Sequence, residues 1–332
     1  GLNNQIMSKK KIKATSQPVA STQIKLTQDK QHWLLNHWLQ FALVALTAII
    51  IYGDTLQNKW ALDDVMFVTM NSFTKKGTDG IGDIFTHESL YGFIGDNSMN
   101  AGGRWRPLSI ITFAIEWQLS PNNPKIGHFN NLLLFVISSL LLLHFLRRFI
   151  FKQQPLAAFF CTLLFVAHPI HTEVVANIKS RDEILSFIFL LLTMHFSLKF
   201  LEEGRKPIHL IAFCTFFFLA LLSKEYGMTF IIILPMLWHF ISNTKWRQWI
   251  FPYTASIGVL VFYFFLRFVF VGGINAPKIT EVMNAPFLYA TPLQHYCTVL
   301  MNTGHYLWLM IWPHPLSYDY SYNQIKYVSA GE

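Results

Sequence analysis

Long runs without a single Asp, Glu, Lys or Arg recur along this chain, at residues 31–53, 126–146, 153–172, 207–223, 226–244 and 248–266. About 20 residues rising 1.5 Å each cross a hydrocarbon core, so each run is the length of one membrane span. A seventh run, 184–198, reaches that length if Lys199 extends its ammonium to the interface. The uncharged stretch 282–318 holds room for an eighth. Only 13% of the residues are charged, against roughly 25% in soluble domains. These runs predict an all-α, polytopic membrane helical bundle of about eight spans.

The basic residues of the short loops give the bundle a direction. Arg147, Arg148 and Lys152, then Lys199, Arg205 and Lys206, then Lys245 and Arg247 fall on one side, together with the six lysines of residues 1–30. That side is cytoplasmic by the positive-inside rule, and 13 of the 18 acids fall on the other. The net charge of +8 is thereby explained by topology, with no nucleic-acid partner. Residues 1–30 read as a disordered basic cytoplasmic tail and 31–332 as the transmembrane domain. Residues 54–125 become one long outer loop. Within it 106–120 is apolar and helical in period but too short to span, so it reads as an interfacial or re-entrant helix. A span at about 292–312 would carry "WPHPLSYDYS" inside, whereas a re-entrant segment would leave it outside. Cys161, Cys214 and Cys297 lie in apolar runs with no paired spacing and read as inert.

Three clusters of ionisable groups gather on the outer side. "WALDDVMFV" carries Asp63 and Asp64. "FVAHPIHTEVVANIKSRDE" carries His168, His171, Glu173, Lys179, Arg181, Asp182 and Glu183, with Arg104 and Arg106 of "GGRWRP" in the preceding loop. "LLSKEYG" carries Lys224 and Glu225. Each ionisable group at membrane depth costs roughly 2.5–3.5 kcal/mol, so their convergence needs a reason.

Structural explanations exist for each cluster. Ser180-x-x-Glu183 fits a capping box. Lys224 and Glu225 fit an interfacial ion pair, and the two aspartates a solvated turn. His168-x-x-His171-x-Glu173 lacks the i, i+4 histidines of a helical zinc motif, which argues against a divalent metal. His144, His195 and His239 read as lone core or interfacial histidines.

The functional reading uses the clusters together. Glu173, Asn177 and Arg181 are spaced by four and would share one face of a short helix after Pro169. Arg104, Arg106, Lys179, Arg181 and Lys224 are cations suited to a lipid-linked phosphate. Asp63 or Asp64 supplies a carboxylate suited to deprotonating a hydroxyl.

These stretches resemble the transmembrane and tetratricopeptide-repeat O-mannosyltransferases and their bacterial relatives, within the GT-C superfamily. The similar segments are "LDDVMFV", "GGRWRPLSIITFAIEW", "GHFNNLLL", "FVAHPIHTEVVANIKSRDEILS", "LLSKEYGMTF" and "WPHPLSYDYS", in family order over roughly residues 55–323. The resemblance implies a GT-C type bundle and an inverting glycosyltransferase. It implies a polyprenyl-phosphate sugar as donor, no cofactor, and a protein or glycan hydroxyl as acceptor. Asp63 or Asp64 is then the catalytic acid of the first loop, and the His168, His171, Glu173 and Arg181 cluster shapes the donor-phosphate end. The family's later spans and repeat domain would lie beyond residue 332. The bacterial branch implies a cytoplasmic-membrane protein whose site faces the periplasm. Two alternatives stand beside this reading: a transporter or flippase of polyprenyl-linked sugars or other lipids, and an inactive membrane anchor for a repeat domain.

The topology is testable directly. In a cysteine-free background, Asn97→Cys should react with a membrane-impermeant thiol reagent in intact cells while Lys152→Cys should not. Equal labelling of the two would overturn the assignment.

Overall fold

Each of the uncharged stretches contains a helix in the computed structural model, which describes residues 36–95, 104–272, 286–317, 320, 325–329 and 331. The tail at 1–30 lies outside the described residues, as do residues 96–103 and 318–319. The described residues all belong to one unit, Leu34–Glu332. Its helices are α1 (His37–Tyr52), three short ones α2 (Ser72–Lys75), α3 (Ile81–Thr86) and α4 (Tyr91–Ile94), then α5 (Pro107–Leu119), α6 (Pro124–Phe145), α7 (Pro155–Ala167), α8 (Thr172–Ala176), α9 (Arg181–Glu202), α10 (Pro207–Ser223), α11 (Phe230–Ile241), α12 (Ile250–Val271) and α13 (Pro292–Ile311). No strand occurs among the described residues. Proline opens α5, α6, α7, α10 and α13, where its missing N–H leaves no bond unmade.

Four helical stretches are long and apolar enough to cross a membrane: those beginning at His37, Pro124, Ile178 and Trp246. A fifth follows if α7 and the bent segment after it count as one. α10 and α11 are shorter apolar helices. Large apolar side chains such as Ile50, Leu164, Phe240 and Phe265 stand exposed on these helices, as a lipid-facing surface requires.

α9 is the central post. It packs between α6 and α10, and three apolar clusters meet around it. His144 of α6 and His195 of α9 face one another with ring centroids 5.3 Å apart, so these two histidines are a pair and not lone residues.

The first loop is itself folded. Phe67, Val68, Ile84, Leu90, Ile110, Phe113 and Ala114 form a small core in which α2 and α3 pack against α5, and Ile178 closes it from the bundle side. Ile178 also sits so close to α6 that a Cβ on Gly127 would lie 2.7 Å from its Cδ1.

Two local expectations fail here. Ser180 precedes α9 but makes no side-chain cap bond, and its hydroxyl donates to Glu173 instead, so there is no capping box. Nor do Glu173, Asn177 and Arg181 share a helix face. α8 ends at Ala176, a single 3-10 turn follows, and Arg181 starts α9 pointing elsewhere.

Arg181 ties this architecture together. Its side chain is fully buried. Nε donates to Asn131 (2.7 Å), Nη1 to Thr112 (2.9 Å) and Glu116, and Nη2 to Glu116 (3.1 Å) and the Gly127 carbonyl (3.0 Å). All five N–H groups are used, and the guanidinium also lies 4.7 Å from the Phe113 ring centroid. The expected phosphate contact by Arg181 is thereby corrected. The group has no donor left to offer, and it joins α5, α6 and α9.

Removing one partner of a buried pair costs about 3–5 kcal/mol. Arg181→Ala should therefore lower the thermal midpoint in detergent sharply. Arg181→Lys should not restore it, because one ammonium cannot serve four partners. An unchanged midpoint with weakened donor binding would return Arg181 to the phosphate.

Candidate functional site

The aspartate pair divides into two different groups. Leu62, just before it, adopts a left-handed backbone with φ of 48°, a conformation costly for a branched side chain. Two bonds hold this turn: Asp64 N donates to the Ala61 carbonyl, and Ala61 N donates to Asp64 Oδ2 at 3.0 Å. Asp64 Oδ1 accepts the backbone N–H of Lys179 at 2.8 Å. Asp64 is completely buried, and burial raises its pKa against the lowering effect of these N–H bonds. It is a brace between the first loop and the stretch before α9.

Asp63 is the exposed member, with 43% of its side chain accessible. Its carbonyl receives the N–H groups of Met66 and Phe67, which start a wide π-helical turn over Val65–Thr69. Its carboxylate lies 3.7 Å from Lys179 Nζ. The same ammonium is 3.8 Å from Asp182, so it is ion-paired at both contacts but within hydrogen-bond distance of neither.

Asp182 is the hub of the charged network. It accepts from Arg106 at 2.7 Å, and Lys224 Nζ stands 3.8 Å from its other oxygen. That second oxygen, Oδ1, is buried and accepts no hydrogen bond. Arg106 also donates to Glu225 at 2.8 Å, and Lys224 binds Glu183 and lies over the Tyr226 ring. Burial opposes the charge of Arg106, yet Glu225 and Asp182 together raise its pKa above the ordinary value. Its loop is pinned as well: Arg106 N donates to Ser89 Oγ (2.9 Å) and Trp105 Nε1 to the Phe85 carbonyl (2.9 Å).

The pairs are crossed relative to the sequence. Lys224 does not pair with Glu225, nor Arg181 with Asp182. Adjacent residues on a helix or turn project in different directions, so each finds its partner on another element. The network therefore joins the first loop, the start of α9 and the end of α10. Glu183 is occupied by Lys224, which replaces the capping role.

The other predicted residues lie around it. Arg104 is exposed and outside the network. His168 accepts the Ile170 N–H on Nδ1 (3.3 Å), and its Nε2 is 3.1 Å from the Met310 carbonyl of α13. The His171 ring lies against Phe165 and Phe135, with centroids 4.3 and 5.8 Å away. The two histidines thus serve different partners. Glu173 accepts from Ser180 Oγ (3.0 Å) and Asn177 Nδ2 (3.3 Å) and lines a cleft of about 620 Å³ beside the Asp pair. Asp182 belongs to the cluster that the sequence singles out but is not among the predicted site residues, and its partners Arg106, Lys179 and Lys224 are ones its place in the first turn of α9 does not reveal.

Comparison with known proteins bears on this arrangement. Protein O-mannosyl-transferase TMTC1 of Homo sapiens is 32% identical over 163 residues, covering 49% of this chain and 18% of the relative. A protein O-mannosyl-transferase of Caenorhabditis elegans is 27% identical over 290 residues, 87% of this chain and 40% of the relative. The Drosophila melanogaster Tmtc2 protein is 24% identical over 296 residues, 85% of this chain and 30% of the relative. The chain is a distant relative of the TMTC protein O-mannosyl-transferases. It spans less than half the length of these relatives. No family model matches the chain, and no solved structure matches it significantly.

The two aspartates should separate by stability. Asp64→Ala strips the acceptor from the Ala61 N–H and should cost about 1–3 kcal/mol. Asp63→Ala, at an exposed position, should stay within about 0.5 kcal/mol. Thermal unfolding in detergent measures both, and equal losses would contradict the division of roles.

Proposed function

We propose that this chain is the membrane part of an inverting glycosyltransferase of GT-C type. It moves a sugar from a polyprenyl-phosphate donor to a hydroxyl of a protein or glycan acceptor. The observation that carries the reading is one exposed carboxylate, Asp63, 3.7 Å from the Lys179 ammonium, with the Lys179 backbone fixed by the neighbouring buried Asp64. A base and a cation are held side by side, as transfer from a phosphate-linked sugar requires. The relatives' names add that the sugar is mannose and the acceptor a protein.

In the proposed step the acceptor oxygen attacks the anomeric carbon from the face opposite the phosphate. The carbon–oxygen bond to phosphate breaks, and its electron pair goes to the leaving phosphate oxygen. The acceptor proton passes to the Asp63 carboxylate, and a single displacement inverts the anomeric centre. Lys179, with Arg104 at the exposed edge and Lys224 behind, offsets the charge of the departing phosphate. No metal or cofactor is assigned a role. The charge asymmetry of the loops supports a reaction on the outer face of the membrane, the periplasmic side in a bacterium.

Removing a general base typically costs 10²–10⁴-fold in rate. Asp63→Asn should lose that much turnover of dolichyl phosphate mannose in reconstituted vesicles while donor affinity changes by less than about threefold. Lys179→Ala should weaken donor binding about tenfold, the loss of one charge-assisted contact. Full turnover by Asp63→Asn would sink the assignment of the base.

A further inference from the structure

Beside the Asp63–Lys179 pair lies the cleft of about 620 Å³, within the range of roughly 300–1,000 Å³ typical of small-molecule sites. Its walls come from three distant segments. Asn58 and Leu62 belong to the first loop, Glu173 and Asn177 to α8 and the turn after it, and Tyr306 and Tyr320 to α13 and the chain beyond. A second cleft of about 540 Å³ adjoins it, sharing Leu316, Ser317 and Tyr320, and runs on past His305 and Asn302.

The lining has a particular chemistry. Glu173 uses one oxygen, Oε1, for Asn177 and Ser180, and its side chain is otherwise exposed to the cleft region. Asn58 is exposed, and Tyr306 is 60% exposed on α13. In the adjoining cleft the Asn302 Oδ1 atom is buried and accepts no hydrogen bond from the protein. In the first cleft aromatic rings, amides and a carboxylate thus meet without a lysine or arginine among the described residues of its wall, whereas Lys326 lines the adjoining one. A phosphate would find no cation in the wall of the first cleft. A ligand with an apolar C–H face for a tyrosine ring and several hydroxyls to donate and accept would be matched on both counts.

We propose that this cleft is a hexopyranose-binding site, distinct from the phosphate end of the reaction centre, with Tyr306 and Glu173 as its sugar contacts. The inference rests on the glycosyl-transfer reading for which sugar is present. Leu62 lines the cleft and Asp63 follows it in sequence, so the proposed base lies one residue along the chain from the cleft wall. The same chemistry fits the donor's own mannose and a glycan on the acceptor, and the experiment separates them.

The test reads binding without turnover, so it fails independently of the proposed reaction. The membrane chain in detergent is titrated with dolichyl phosphate mannose, with dolichyl phosphate, and with a mannosylated serine peptide. Tyr306→Ala and Glu173→Gln are compared with the unaltered chain. If the cleft holds the donor sugar, both variants weaken dolichyl phosphate mannose fivefold or more and leave dolichyl phosphate within twofold. If it holds an acceptor glycan, both lipids are unaffected and binding of the mannosylated peptide falls fivefold or more. Either result supports a sugar site. Equal loss of both lipids, or no change with any probe, overturns it. Should Glu173→Gln disturb the Ser180 and Asn177 bonds and fail to fold, Tyr306→Ala decides alone, because that side chain is largely exposed.

Discussion

A guanidinium sealed from water fixes the geometry of everything on the outer side of this bundle. An unmet N–H of a buried charge costs several kcal/mol, so Arg181 dictates where its acceptors must be. Glu116 and Thr112 have to come from α5, Asn131 and the Gly127 carbonyl from α6. The first-loop helix is thereby clamped onto the membrane helices, and residues 178–180 are held against α6. Lys179, inside that held stretch, is delivered to Asp64, and Asp64 in turn sets the turn that leaves Asp63 exposed. The proposed reaction centre inherits its precision from a charge that takes no part in it.

The helices were readable because the cost of charge in a membrane leaves long uncharged runs, and proline marks where they begin. The break at His168 was less readable. α7 stops short of the uncharged run's end, and the next helix is bent 51° away. The freed backbone groups there are met by His168, Asn177 and Asp64, side chains that the sequence offers equally well as ligands or catalysts. The gathering of ionisable groups at one face was likewise legible, but their pairing was not. Neighbours such as Lys224 and Glu225 suggest each other in sequence, whereas helix geometry sends them to Glu183 and Arg106. Asp63 and Asp64 were indistinguishable for the same reason: what separates them is a backbone N–H 115 residues away.

The cleft proposed to hold a sugar was invisible at the level of sequence for a different cause. Its walls lie at residues 58–62, 169–177 and 306–320, and no period or spacing connects them. Tyrosines and asparagines near membrane interfaces are ordinary in any one segment. Only their convergence on one concavity, with no lysine or arginine among the described residues of its wall, gives them a shared meaning.

The charge count of the network sharpens how the proposed reaction would run. Arg106, Lys179 and Lys224 face Asp63, Asp182, Glu183 and Glu225, so the acids exceed the cations by one. A phosphodiester brings a further negative charge, and such a site repels it unless a cation changes partner. Arg106 is held by two short bonds, and Lys224 is bound to Glu183. Lys179 is the loosely held one, 3.7 and 3.8 Å from its acids, with Arg104 outside the network as a further source of charge. Turning Lys179 from Asp63 toward an arriving phosphate strengthens the hold on the donor and releases the carboxylate in the same movement. Asp63 is then free to accept the hydrogen bond of an incoming hydroxyl when the leaving group is already in place. In the proposed reaction donor binding and base availability would become one event, and an acceptor arriving first would meet a carboxylate still ion-paired with lysine.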